Sequence, residues 1–136
     1  MLNPEAARSQ AAVTPPTAPV VIVGGGFGGL YTALALAEHR QHPPILLIEP
    51  NDRFLFLPLL YELLSGELRS WEIAPRYDSL LAGKGVAWLQ DRVVRIDAQS
   101  SQVHTASGRC LSFSRLVLAT GAQANDFGIP GVAEYS

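Results

Sequence analysis

Charge is scarce in this sequence: 10 basic and 12 acidic side chains make up 16% of its 136 residues, against about a quarter in an average soluble domain. The net charge of -2 leaves no basic field for nucleic acid, and no Lys/Arg cluster suits an anionic membrane surface. Cysteine occurs once, at Cys110. That excludes a disulfide framework, a CxxC redox pair and a thiolate metal cluster, and fits a reducing compartment. His39 and His42 have no third ligand nearby, so no metal site is expected. Between Ser9 and Ala37 no charged residue occurs at all. Pro15, Pro16, Pro19 and the glycines from Gly24 to Gly29 nevertheless argue against a signal or membrane helix there. A strand, a turn and a helix account for the stretch better.

What is present suits one compact domain. Residues 1–18 mix Ala, Pro, Thr and Gln without period and read as a flexible leader, leaving 19–136 as the folded part. Val20 to Val23 is a β-branched run of the kind found in a central parallel strand. After the glycines, Leu30, Ala33, Leu34 and Ala37 repeat at helical spacing, and Pro43-Pro44 prevents continuation. Ile45 to Ile48 is a second buried strand, completing a βαβ unit with a right-handed crossover. Short helices are predicted over Pro58 to Leu64, stopped by Gly66, and over Ala74 to Leu81, with Pro75 in its first turn. Val86 to Leu89, Val93 to Asp97, Gln102 to Thr105 and Leu111 to Phe113 read as short strands of a β-meander, and Leu116 to Ala119 as another buried strand. Gly128 to Gly131 reads as a loop with a turn. Ser136 follows with no strand or cap that would close a domain, so the sequence predicts the opening portion of a longer protein.

Gly24, Gly26 and Gly29 satisfy GxGxxG between a predicted strand and a predicted helix, with Glu49 twenty positions further on. The first glycine permits a tight turn, the second lets backbone approach a pyrophosphate, and the third lets helix and strand pack closely. Helix amides then face the phosphates, where the macrodipole favours negative charge. Glu49, at a strand end, can accept hydrogen bonds from both ribose hydroxyls and would repel a 2′-phosphate, which disfavours NADP at this turn. The competing reading, a turn serving packing only beside a solvated acid, leaves the combined context unexplained. The glycines do not choose between NAD and FAD, which share adenosine and pyrophosphate.

A meander followed by Leu116-Val117-Leu118-Ala119-Thr120-Gly121 resembles the two-dinucleotide-fold flavoproteins of the glutathione-reductase-like superfamily. The segments Arg53-Phe54-Leu55-Phe56-Leu57-Pro58-Leu59-Leu60-Tyr61-Glu62-Leu63-Leu64-Ser65-Gly66-Glu67-Leu68 and Trp71-Glu72-Ile73-Ala74-Pro75-Arg76, with Phe127-Gly128-Ile129-Pro130-Gly131, narrow it. They are similar to the type II NADH dehydrogenases, above all their cyanobacterial and plastid branch, whose members act on quinones including a demethylated phylloquinone precursor.

The resemblance implies an α/β fold: a Rossmann-like FAD-binding βαβ unit with an antiparallel β-meander insertion, forming an incomplete three-layer domain. It implies FAD as cofactor, held by Gly24, Gly26, Phe27, Gly28, Gly29, Glu49, Pro50, Arg53, Leu57, Pro58, Val93, Ala119, Thr120 and Gly121. In the family, Leu57 and Pro58 would lie by the isoalloxazine ring, the Val93 backbone would read the adenine, and Thr120 and Gly121 would line the flavin site. Many members carry a histidine where Phe54 stands, so a polar role is missing there. The implied partners of the full-length enzyme are NAD(P)H and quinone, with hydride passing to flavin and electrons onward. Location would be cytoplasmic or on the cytoplasmic face of a membrane, any membrane association being peripheral and lying beyond this stretch. A sulfide:quinone reductase is the nearest rival, but its chemistry uses redox cysteines and only Cys110 is here. A non-catalytic nucleotide-binding remnant is the rival from another class.

Overall fold

The computed structural model describes residues 17–122. Most of the expected leader and the Phe127 to Gly131 stretch lie outside the described residues. Among the described residues seven strands form two sheets. The first is parallel: β1 (Val20–Val23) lies between β2 (Ile45–Ile48) and β7 (Arg115–Leu118), and β3 (Val86–Leu89) pairs with the far side of β2. The second is an antiparallel meander of β4 (Val93–Asp97), β5 (Gln102–Thr105) and β6 (Cys110–Ser112).

The continuous apolar runs of the parallel sheet are explained by burial on both faces. Val20, Ile22, Ile45 and Leu47 point to one face, where they pack with Leu30 and Ala33 of helix α1 (Phe27–Glu38) and with Phe54, Tyr77 and Leu81. Val21, Val23 and Ile48 point to the other, against Val103 of β5. The result is three layers: helices, parallel sheet, meander.

One assignment is corrected. Val86 to Leu89 is an edge strand of the parallel sheet and not part of the meander. Its unbroken Val-Ala-Trp-Leu run needs cover on both faces, and Trp88 packs on the helical side while Leu89 packs toward the meander.

The connection from β2 to β3 is also more broken than its sequence suggests. A 3-10 turn, Leu57–Leu59, leads into α2 (Leu60–Ser65), which Gly66 ends in the left-handed conformation at φ 82°. A one-turn helix that the periodicity did not reveal follows, α3 (Ser70–Ile73), then α4 (Tyr77–Leu81). Helix α4 begins three residues later than expected because Pro75 and Arg76 are drawn into pairing: the Pro75 carbonyl accepts from Phe54 N–H, and Arg53 bridges Arg76. Among the described residues no helix is long and apolar enough to cross a membrane.

Candidate functional site

The ends of β1, β2 and β7 meet at the carboxyl edge of the parallel sheet, where open α/β sheets bind ligands. Gly24 leaves β1 at φ 99° and donates its N–H to the Ile48 carbonyl at 2.9 Å. A Cβ on Gly24 would overlap the Ala119 carbonyl. Ala119 in turn donates its N–H to Val23 at 2.8 Å, so the Ala119-Thr120-Gly121 turn lies directly against the glycine turn. Gly29 brings helix α1 down onto the carbonyl of Gly24, again with no space for a Cβ, and Gly28 faces the Ala119 methyl. Gly26 is different. A Cβ there would meet nothing within 4 Å.

Gly26 is also the N-cap of α1, with no side-chain cap and no acid in the first helical turn. The first amides of this twelve-residue helix therefore have no side-chain cap and no acid of their own turn against the positive end of the dipole. That arrangement suits an anion.

Glu49 is buried, 7% exposed. Its Oε2 accepts the Gly25 N–H at 2.7 Å, and its Oε1 accepts from Asn51 twice, from the backbone at 2.9 Å and from Nδ2 at 2.6 Å. The carboxylate thus anchors the glycine turn while keeping part of its acceptor capacity free. On the other side of Gly25, the buried Tyr77 hydroxyl donates to the Gly25 carbonyl at 2.5 Å. Burial, helped by the charge on Glu49, pushes the Tyr77 phenol well above its ordinary range, so it stays a donor.

Beside this turn lies a cleft of about 250 Å³ lined by Gly24, Glu49, Pro50, Val93 and Thr120 among the expected residues, and by Asn51, Asp91 and Arg92. That is just below the roughly 300–1,000 Å³ of drug-sized ligand sites and suits one half of a dinucleotide. Asp91 is held at about 2, chiefly by the Ser107 hydroxyl that donates to it, with Thr105 adding to the effect. The meander therefore fixes one wall of the cleft.

Three expected residues belong neither to that cleft nor to the two turns beside it. Arg53 spends its guanidinium on the Ala74 carbonyl at 2.9 Å. Leu57 is exposed, and Pro58 belongs to the same 3-10 turn. Their segment is tied to the start of α1 through aromatics: Phe27 packs edge-on to Phe54 and Phe56, with ring centres 5.2 and 5.0 Å apart. Sequence reasoning missed Gly25, Asn51, Tyr77, Asp91 and Arg92. Gly25 was visible in the glycine run, whereas nothing local marks Tyr77.

The sequence profile of the pyridine nucleotide-disulphide oxidoreductases matches residues 18–136. The chain belongs to that family. Among similar members, the demethylphylloquinone reductase of Synechocystis sp. is 43% identical over 124 residues, covering 85% of this chain and 31% of that protein. The alternative NAD(P)H-ubiquinone oxidoreductase C1 of Arabidopsis thaliana is 41% identical over 134 residues, covering 86% and 26%. The structure of NDH2 from Plasmodium falciparum in complex with NADH superposes with a TM-score of 0.76 at 26% identity, over 88% of this chain and 25% of that one. Within the family these similarities fit the type II NADH dehydrogenase branch that the sequence resembles. The chain spans between a quarter and a third of the length of these two curated relatives.

Proposed function

We propose that the cleft and the glycine turn hold the adenosine and pyrophosphate of FAD, and that the protein is an NAD(P)H:quinone oxidoreductase. The observation that carries this reading is the open approach at Gly26: an uncapped helix start beside a buried acid, with the Ala119-Thr120-Gly121 turn against it.

The residues present fit the group. We assign the pyrophosphate to the start of α1, and Glu49, with both acceptor sites of Oε1 taken by Asn51, offers the remaining site of Oε2 to a ribose hydroxyl while its charge disfavours a 2′-phosphate. Pro50, Asn51 and Val93 line the cleft that we assign to adenosine. FAD, when bound, supplies the hydride acceptor and the electron donor to quinone. The chain's own part is to bind and orient it. NAD(P)H and quinone are the partners we assign to the full-length enzyme, working as a peripheral protein at the cytoplasmic face of a membrane. Leu57, Pro58 and Gly121 are the described residues we assign to the neighbourhood of the flavin ring.

The test is purification of the chain, a visible spectrum, and chromatography of the cofactor released on denaturation. FAD is the expected product. FMN alone would overturn the assignment, because FMN lacks the adenosine that we assign to Glu49.

A further inference from the structure

Gly25 is gripped from both sides by buried side chains. Its N–H donates to Glu49 Oε2 at 2.7 Å, and its carbonyl accepts from Tyr77 Oη at 2.5 Å. Tyr77 is 2% exposed and its ring is packed against Trp88 and Phe54, with centres 5.5 and 6.5 Å away. The ring cannot swing out without dismantling that packing, so the hydroxyl is a fixed donor. The Gly25 carbonyl shares a peptide plane with the Gly26 N–H, and none of the described peptide bonds is cis. In a trans peptide the carbonyl and the N–H point in opposite directions. Pinning the carbonyl toward Tyr77 therefore turns the Gly26 N–H away from it, to the side where a Cβ on Gly26 would meet nothing within 4 Å.

We propose that Tyr77 is a positioning residue for the cofactor turn: by holding the Gly25 carbonyl it aims the Gly26 amide at the phosphate. Without this grip, glycines on both sides leave the peptide unusually free to rotate. The ordering would then have to occur at binding, at the expense of affinity. This inference rests on the FAD reading above, and the test separates the two.

Tyr77→Phe keeps the ring and removes only the hydroxyl. For the 136-residue chain, affinities for FAD, ADP and adenosine are measured by titration. FAD and ADP should each weaken about tenfold in Tyr77→Phe, the size of one lost buried hydrogen bond, while adenosine, which has no phosphate, should bind as before. A general loosening of the fold would weaken all three together and would overturn the positioning role. So would unchanged FAD and ADP affinities. If the parent chain binds neither FAD nor ADP, the cofactor reading itself fails and takes this inference with it. Should Tyr77→Phe not fold, the parent chain still decides: on titration with ADP, but not adenosine, the Gly26 amide proton should shift strongly downfield. A Gly26 amide unmoved by saturating ADP would refute the proposal.

Discussion

Alanine at Gly26 and alanine at Gly29 should fail in opposite ways, although both positions belong to one six-residue turn. At Gly29 the new methyl would sit 1.7 Å from the carbonyl oxygen of Gly24. That oxygen is backbone, in a residue already committed to φ 99° and hydrogen-bonded to β2, so it cannot give way as a flexible side chain would. Overpacking a tight contact costs about 1–3 kcal/mol, occasionally more, and a rigid obstacle at this distance belongs at the top of that range. For a domain near 100 residues, about 3 kcal/mol corresponds to a melting temperature more than roughly 10 °C lower. At Gly26 the methyl meets nothing within 4 Å, and φ is -65°, which alanine adopts without strain. Reduced freedom of the unfolded chain stabilises by about 0.4–1 kcal/mol, and the poorer N-cap character of alanine offsets a similar amount. Stability should therefore stay within about 1 kcal/mol. FAD affinity should instead fall about ten- to hundredfold, since the methyl stands between the pyrophosphate and its charge-assisted donors. Thermal melts of the apo-proteins, paired with flavin titration of each, measure both effects. A Gly29→Ala variant melting within a few degrees of the parent would refute the packing argument, and full FAD affinity in Gly26→Ala would refute the site.

Glu49→Ala should weaken FAD by at least about tenfold, because it removes the ribose acceptor and the anchor of the Gly25 N–H together; unchanged affinity in a flavin titration would show that the acid is not in the site. Phe54→Ala should cost about 3–5 kcal/mol in urea unfolding, as a buried ring lodged between Phe27 and Tyr77, and a loss below about 1 kcal/mol would contradict that packing. The folded Asp91 carboxyl sits at about 2, below its ordinary 3.8. Its contribution to stability is thus complete above 3.8 and is lost as the pH falls through about 2. Ser107→Ala removes the largest cause, so the Asp91 midpoint followed by carbon NMR should climb back toward 3.8, and an unmoved midpoint would refute the Ser107 contact. Mixed anaerobically with NADH and then a soluble quinone, the 136-residue polypeptide should show no sustained turnover above a free-FAD control. One glycine turn holds one dinucleotide, and hydride transfer needs the second placed within reach of the flavin.

The βαβ opening was legible because its signals are local: Val20–Val23 and Ile45–Ile48 are uninterrupted apolar runs, and the glycines between them mark the turn. Val86–Leu89 was recognised as a strand but placed in the wrong sheet. Four residues do not announce their neighbours, and only the two-sided packing of Trp88 and Leu89 does so. The start of α4 is hidden in the sequence for a related reason, since Pro75 and Arg76 are captured by Arg53 and Phe54, more than twenty positions earlier. At the candidate site, Glu49 was legible from its distance to the glycines. Its grip on Gly25 was not, and Tyr77 reaches Gly25 across 52 positions with no pattern to betray it.

The contact of Gly24 with Ala119 has a consequence for the timing of biosynthesis. The βαβ unit can be complete once Ile48 has left the ribosome, yet the wall formed by β7 and its turn does not exist until Thr120 follows. At about 5–20 residues per second, the roughly 70 residues in between take about 4–14 s to synthesise. For that interval the nascent chain carries a glycine turn with no opposing backbone and a β1 edge without its partner, a template for wrong pairing. A ligand that touches both turns would bind only after the correct strand has docked, and by mass action it would then hold that strand in place.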